Sequence, residues 1–165
     1  MTTPLISVVM PVHNARPFLD QSIASISNQT LRDFEFVILD DASSDGSDEL
    51  LRNWSRRDSR IVVHQGRTRL GPVGSSNLVV SKSRAPIVAR MDADDVSHPD
   101  RLMRQLAIMN RHADVAVVGT LSDGIDALGQ LVRPRIENRS RGIRARDLLL
   151  SLHIKDGRPY EWRFE

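Results

Sequence analysis

No cysteine occurs among the 165 residues, which removes disulfides, thiolate metal sites and cysteine nucleophiles at once and leaves the redox compartment open. Aromatic residues make up only 4%, and none interleaves with the arginines that crowd the stretch from Arg133 to Arg146. That argues against a stacking platform for single-stranded nucleic acid, and no nucleic-acid partner is expected. No apolar run approaches the length of a membrane span. The first twelve residues lack the basic start of a signal peptide. The simplest reading is a soluble chain, cytoplasmic or at the inner face of a membrane. Lysine is nearly absent, with Lys82 and Lys155 alone. A phosphoacceptor receiver domain would need a lysine after a late strand and an acidic pair after the first, where this chain has Pro11-Val12-His13.

What is present is enough for a core: 40% hydrophobic residues in a length that suits one domain. The net charge of +2 hides a segregation, because Arg133, Arg135, Arg139, Arg141, Arg144 and Arg146 crowd one stretch whose only acid is Glu137. Such a run could meet phosphates or acidic lipid, a peripheral membrane contact; a solvated face is the commoner explanation.

The order of elements is a strand–helix alternation. Leu5-Ile6-Ser7-Val8-Val9-Met10 is a nearly continuous apolar run, as in a strand buried on both faces of a parallel sheet. A helix with Phe18, Leu19, Ile23, Ile26 and Leu31 on one face follows. Phe34 to Leu39 form a second strand, and Ser47 or Asp45 caps a second helix carrying Leu50, Leu51 and Trp54. Ile61-Val62-Val63 is a third strand. A glycine- and arginine-rich loop over 65–74 then opens a helix with Leu78, Val79 and Val80. Ala85-Pro86-Ile87-Val88-Ala89 is a fourth strand, and Pro99 starts a helix carrying Leu102, Met103, Leu106, Ile108 and Met109. Val115-Ala116-Val117-Val118-Gly119 reads as a fifth strand. Turns at Asp123-Gly124 and Leu128-Gly129 read as a hairpin, and 143–152 as a basic helix. The fold class that follows is α/β, a mostly parallel, doubly wound sheet flanked by helices.

Two strands run directly into acids. Asp40-Asp41 ends the second, and Met91-Asp92-Ala93-Asp94-Asp95 follows the fourth. In open α/β sheets ligands sit outside the carboxyl ends of the strands. Three crowded carboxylates there fit a hard divalent cation, Mg²⁺ or Mn²⁺, bridging a diphosphate. A solvated acidic turn at a helix start is the plain alternative. His64, His98, His112 and His153 lack metal spacing, and Trp54 and Trp162 read as packing residues.

Blocks in order strengthen the first reading. Ser7-Val8-Val9-Met10-Pro11-Val12-His13-Asn14, the run from Ser22 to Thr30 that contains Asn28-Gln29-Thr30, Asp33-Phe34-Glu35, and Leu39-Asp40-Asp41-Ala42-Ser43-Ser44-Asp45-Gly46-Ser47 resemble the N-terminal half of a family 2 glycosyltransferase. Asp92-Ala93-Asp94-Asp95 resembles its Asp-X-Asp metal motif. The resemblance spans about 5–120. It implies a GT-A (Rossmann-like) fold, a nucleotide-diphosphate sugar donor with UDP expected, Mn²⁺ or Mg²⁺ as cofactor, and transfer with inversion to a saccharide or lipid-linked acceptor. By the family pattern Pro11, His13, Asp41, Arg67 and Asp92 hold the nucleotide side, with Arg69 as the alternative to Arg67, and Asp94 ligates the metal.

Two departures stand out beside His13, which replaces the aromatic residue of many members. Ser75-Ser76-Asn77 keeps only the asparagine of a common Ala-Arg-Asn run. The family domain ordinarily runs further and carries an acidic base, and none of Asp147, Asp156 and Glu161 has its context, so the catalytic base is unknown. The chain is expected to be a single, truncated domain over 1–165. Either it is a transferase or it is a non-catalytic nucleotide-sugar-binding domain lacking the acceptor half. Apolar surface left uncovered would then favour a homo-oligomer.

Overall fold

The computed structural model describes residues 3–120, 122–126, 129–136 and 152–154. Among these residues seven strands and four helices run in the order β1 (Ile6–Val12), α1 (Arg16–Ser27), β2 (Phe34–Asp40), α2 (Ser47–Arg57), β3 (Ile61–Gln65), α3 (Gly71–Ser81), β4 (Ile87–Arg90), α4 (Arg101–Arg111), β5 (Ser122–Ile125), β6 (Leu131–Ile136) and β7 (Leu152–Ile154). The main sheet has the order β3-β2-β1-β4-β7. Its first four strands are parallel and β7 runs antiparallel to β4. This is the mostly parallel sheet flanked by helices that the apolar runs predict.

β1 and β2 alternate strictly between two cores. Ile6, Val8, Met10 and Val12, with Phe36 and Ile38, face Leu19, Ile23 and Ile26 of α1, Leu51 of α2 and Leu102 of α4. Val9, Val37 and Leu39 face the other way, onto Val79 of α3. Burial on both faces explains why β1 and β2 read as continuous apolar runs. Within that second face Ser7 and Glu35 are polar and buried. The Ser7 hydroxyl donates to Glu35 Oε1 at 2.6 Å. The same carboxylate accepts the Arg84 N–H at 2.7 Å and its Nε at 2.6 Å, which ties the segment before β4 across β1 to β2. Burial by itself would raise the Glu35 pKa, but these hydrogen bonds and the Arg84 charge outweigh it and hold the carboxyl below its ordinary value.

Three expectations are corrected. Residues 115–119 form no strand among the described residues; Val118 is buried and its carbonyl accepts from Gln105 Nε2. The apolar run is there to cover the core, and the ladder position beside β4 belongs to β7. The expected hairpin is present as β5 and β6, with Gly129 in its turn, but Asp123 and Gly124 lie inside β5, where the pairing register slips, and form no turn. Helix α4 starts after Pro99, with Asp100 as its N-cap. The basic helix expected over 143–152 falls outside the described residues apart from Leu152, which opens β7. Among the described residues no helix is long and apolar enough to cross a membrane.

Candidate functional site

The chain moves outward from β1 through β2 to β3, then returns past β1 to β4. The crevice at that reversal lies beyond the carboxyl ends of β1, β2 and β4, where such sheets bind ligands. An open cleft of about 400 Å³ occupies it. Pro11, His13 and Asn14 enter it from β1, Asp41 from β2, Arg69, Gly71 and Ser76 from the start of α3, and Arg90, Asp92 and Asp94 from β4. Of the residues singled out in the sequence, Pro11, His13, Asp41, Asp92 and Asp94 therefore share one cleft. Arg67 is exposed and does not line it, whereas Arg69 does.

The β1 side is set by local geometry. Asn14 sits at φ 51°, in the left-handed region that asparagine tolerates. Its side-chain oxygen accepts from Ser44 N at 2.8 Å, and its own N–H donates to Ser43 Oγ at 3.0 Å. His13 Nδ1 donates to the Asp41 carbonyl at 2.8 Å, which leaves Nε2 as the acceptor facing Asn14 Nδ2 at 3.4 Å. Asp45 then serves two helices at once. Its carboxylate accepts the N–H of Ser47 at the start of α2 and that of Arg16 at the start of α1, while Ser47 Oγ accepts from Ala15 N.

Asp41 is 2% exposed, and both its oxygens are in use. Oδ1 accepts Leu70 N at 2.7 Å and Oδ2 accepts Gly71 N at 2.9 Å. Gly71 meets this partner at φ 77°, a conformation glycine adopts without a Cβ clash. Gly66 permits the loop to cross β2, because a Cβ there would lie 3.0 Å from the Asp40 carbonyl.

On the β4 side the three carboxylates are treated differently. Asp92 is bound by a fork from Arg90, Nη2 to Oδ1 at 2.6 Å and Nη1 to Oδ2 at 3.0 Å. Desolvation by the surrounding protein, with the neighbouring charges of Asp92 and Asp94, raises the Asp95 pKa. Arg101 lies close enough to Asp95 to oppose that rise. Burial lowers the Arg101 pKa, against the attraction of Asp95 and Asp92, and its Nη2 donates to the Arg90 carbonyl at 2.7 Å. Asp94 is exposed into the cleft.

The acidic segment is held from below by α1 and the residues after it. Ser22 Oγ donates to the Asp92 carbonyl, and Ser97 N donates to Ser25 Oγ. Gln29, fully buried, donates through Nε2 to the His98 carbonyl at 2.7 Å and accepts Leu102 N at Oε1 at 3.0 Å. Thr30 N donates to the Pro99 carbonyl. The sequence reading missed Arg90 and gave Gln29 no role. Arg90 carries a signal, since it stands two residues before Asp92 at a strand end; His98 and Leu102, the partners through which Gln29 holds this segment, lie some 70 residues away and leave none.

The matches to known proteins agree with this architecture. The model of Glycosyl transferase family 2 matches residues 7–159. The chain belongs to that family. It is 34% identical to an uncharacterized glycosyltransferase of Methanocaldococcus jannaschii, over 81% of this chain and 47% of the relative. It is 35% identical to the O-antigen biosynthesis glycosyltransferase WbnJ of Escherichia coli, over 78% of this chain and 50% of the relative. It thus spans about half the length of these curated relatives. Among solved structures, S. aureus TarS in complex with UDP-GlcNAc superposes with TM-score 0.66 at 22% identity, covering 71% of this chain and 34% of TarS. Mannosyltransferase PcManGT of Pyrobaculum calidifontis, in complex with GDP-Man and Mn²⁺, gives 0.66 and 22%, covering 74% of this chain and 37% of PcManGT. These two likenesses establish the fold of the family's sheet and helices.

Proposed function

We propose that the cleft is the donor site of a glycosyltransferase that uses a nucleotide-diphosphate sugar, with UDP as the nucleotide. The observation that carries the reading is the convergence of His13, Asp41, Arg69, Asp92 and Asp94 in one open cleft at the sheet's reversal point. In this reading the uracil ring lies against Pro11 and the His13 imidazole, whose orientation the Asp41 carbonyl fixes. Asp41 uses its remaining lone pairs toward the base while it anchors Leu70 and Gly71. Asp92 accepts from ribose or sugar hydroxyls, and Arg69, in the cleft where Arg67 is not, faces the diphosphate. The chain is one domain whose donor part is 5–120.

The residues fit a divalent cation. Among the described residues no three acidic or histidine side chains converge as a metal cage. Mg²⁺ and Mn²⁺ held with a nucleotide need only one or two carboxylates, the phosphates and water supplying the rest. Asp94, exposed in the cleft, is the carboxylate available, and Asp92 is its neighbour. When bound, the ion would offset charge on the departing diphosphate. An inverting transfer to a saccharide or lipid-linked hydroxyl also requires a base on the opposite face of the sugar.

That requirement favours a second reading, a nucleotide-sugar-binding domain without transfer of its own. Of the described carboxylates lining the cleft, Asp41 is engaged by two N–H groups, Asp92 by Arg90, and Asp94 is assigned to the metal. None is left for proton removal. Calorimetric titration of UDP with Mn²⁺ and then with EDTA, repeated on Asp94→Ala, tests the donor site. Binding should require both the metal and Asp94; an absence of binding in every condition overturns the proposal. Sugar release from UDP-sugars by the wild-type chain then separates the two readings.

A further inference from the structure

The cleft contains two carboxylates within three residues, yet they are not equivalent. Arg90 ends β4 with its carbonyl fixed by Arg101, and its guanidinium forks onto both oxygens of Asp92 at 2.6 and 3.0 Å. Both side chains are partly open to the cleft, 38% and 42% exposed, so the fork rather than burial holds the Asp92 carboxylate in its direction. A guanidinium is planar and always charged, and two parallel hydrogen bonds fix a carboxylate's direction as well as its charge. A cation approaching Asp92 would therefore meet a neutralised pair and the repulsion of Arg90. Asp94 has no such partner among the described residues, and one exposed carboxylate holds a hydrated divalent ion weakly.

We propose that Arg90 reserves Asp92 for hydroxyl recognition and keeps it out of metal coordination, so that a divalent cation binds only together with the donor diphosphate. Arg90 is thus a positioning residue that makes metal uptake dependent on nucleotide. The inference rests on the donor-site reading above.

The experiment counts free Mn²⁺ by electron paramagnetic resonance, with and without UDP, for the wild-type chain, Arg90→Gln, Arg90→Lys and the double variant Arg90→Gln with Asp92→Asn. Circular dichroism melts check that each variant is folded, which substitution of a partly exposed side chain should allow. Without UDP, Arg90→Gln should bind Mn²⁺ at least about tenfold more tightly than wild type, the factor that losing one nearby like charge supplies. Arg90→Lys, which retains the charge but cannot form the fork, should fall between wild type and Arg90→Gln, and Asp92→Asn in the Arg90→Gln background should abolish the gain. Equal Mn²⁺ affinity of wild type and Arg90→Gln, with UDP binding intact, overturns the role of Arg90 alone. Failure of the wild-type chain to bind UDP with or without Mn²⁺ overturns the donor site and this inference with it.

Discussion

Asp41 links the β2 side of the cleft to the start of α3 through a single carboxylate. Asp41→Ala removes the carboxylate that accepts from the N–H groups of Leu70 and Gly71, and a hydrogen bond to a charged group contributes about 1.5–3 kcal/mol. Urea unfolding should show a loss of that size, accompanied by weaker UDP binding as Arg69 loses its fixed loop. Ala42 beside it stands at φ 57°, where an L-residue with a Cβ pays roughly 1–2 kcal/mol. Ala42→Gly should raise the urea midpoint by the part of this not offset by the added freedom of the unfolded chain, up to about 1 kcal/mol. At this scale the positions of Asp41, Asp92 and Asp94 in the cleft were legible, because acids directly after apolar strands must emerge at the strand ends. Their hydrogen-bond partners were not. Leu70 and Gly71 lie 29 and 30 residues from Asp41, and no local pattern marks a backbone N–H as a partner.

Among the elements, α1 and the residues just after it have an unusual share of the polar work. Gln29→Leu removes the donor to the His98 carbonyl and the acceptor for Leu102 N from a fully buried site. Such a network, broken on both sides, should cost about 2–4 kcal/mol, read as a lower urea midpoint. β2 contributes a pH dependence through Glu35. Its folded pKa lies below the unfolded value of about 4.3, so the stabilisation it supplies is complete above that value and is lost as pH falls through the folded pKa. Urea midpoints should decline on acidification below about pH 4.3, and Glu35→Gln should flatten that decline. The parallel strands were readable as unbroken apolar runs. Residues 115–119 mimic that pattern because a covering segment and a buried strand make the same demand on side chains. β7 was invisible for the opposite reason: three residues at the edge of a sheet are too few for any period.

For the molecule as a whole, two cores on opposite faces of one sheet leave the carboxyl ends of β1, β2 and β4 free, and a ligand bound there would stabilise the folded state by mass action. UDP with Mn²⁺ at about a hundred times its Kd should add about 2.7 kcal/mol, a rise in Tm of roughly 5–10 °C for a domain of this size. The increment should vanish in Asp94→Ala. The GT-A-type sheet was legible in the rhythm of strands and helices, but the antiparallel closing strand was not.

Helix α1 is tied at its start by Asp45 and Ser47 from the loop after β2, and just beyond its end by Gln29 and Thr30 to the segment after Asp92. It therefore works as a ruler between the loop after β2 and the segment that leads from Asp92 into α4. Its twelve residues span about 18 Å at 1.5 Å per residue. One residue added inside it would lengthen the ruler only slightly but would turn Gln29 by about 100° around the axis, away from His98 and Leu102. Length changes that the loops of this fold would absorb should be intolerable here, and the spacing from Arg16 to Gln29 is a dimension of the site as much as any distance inside the cleft.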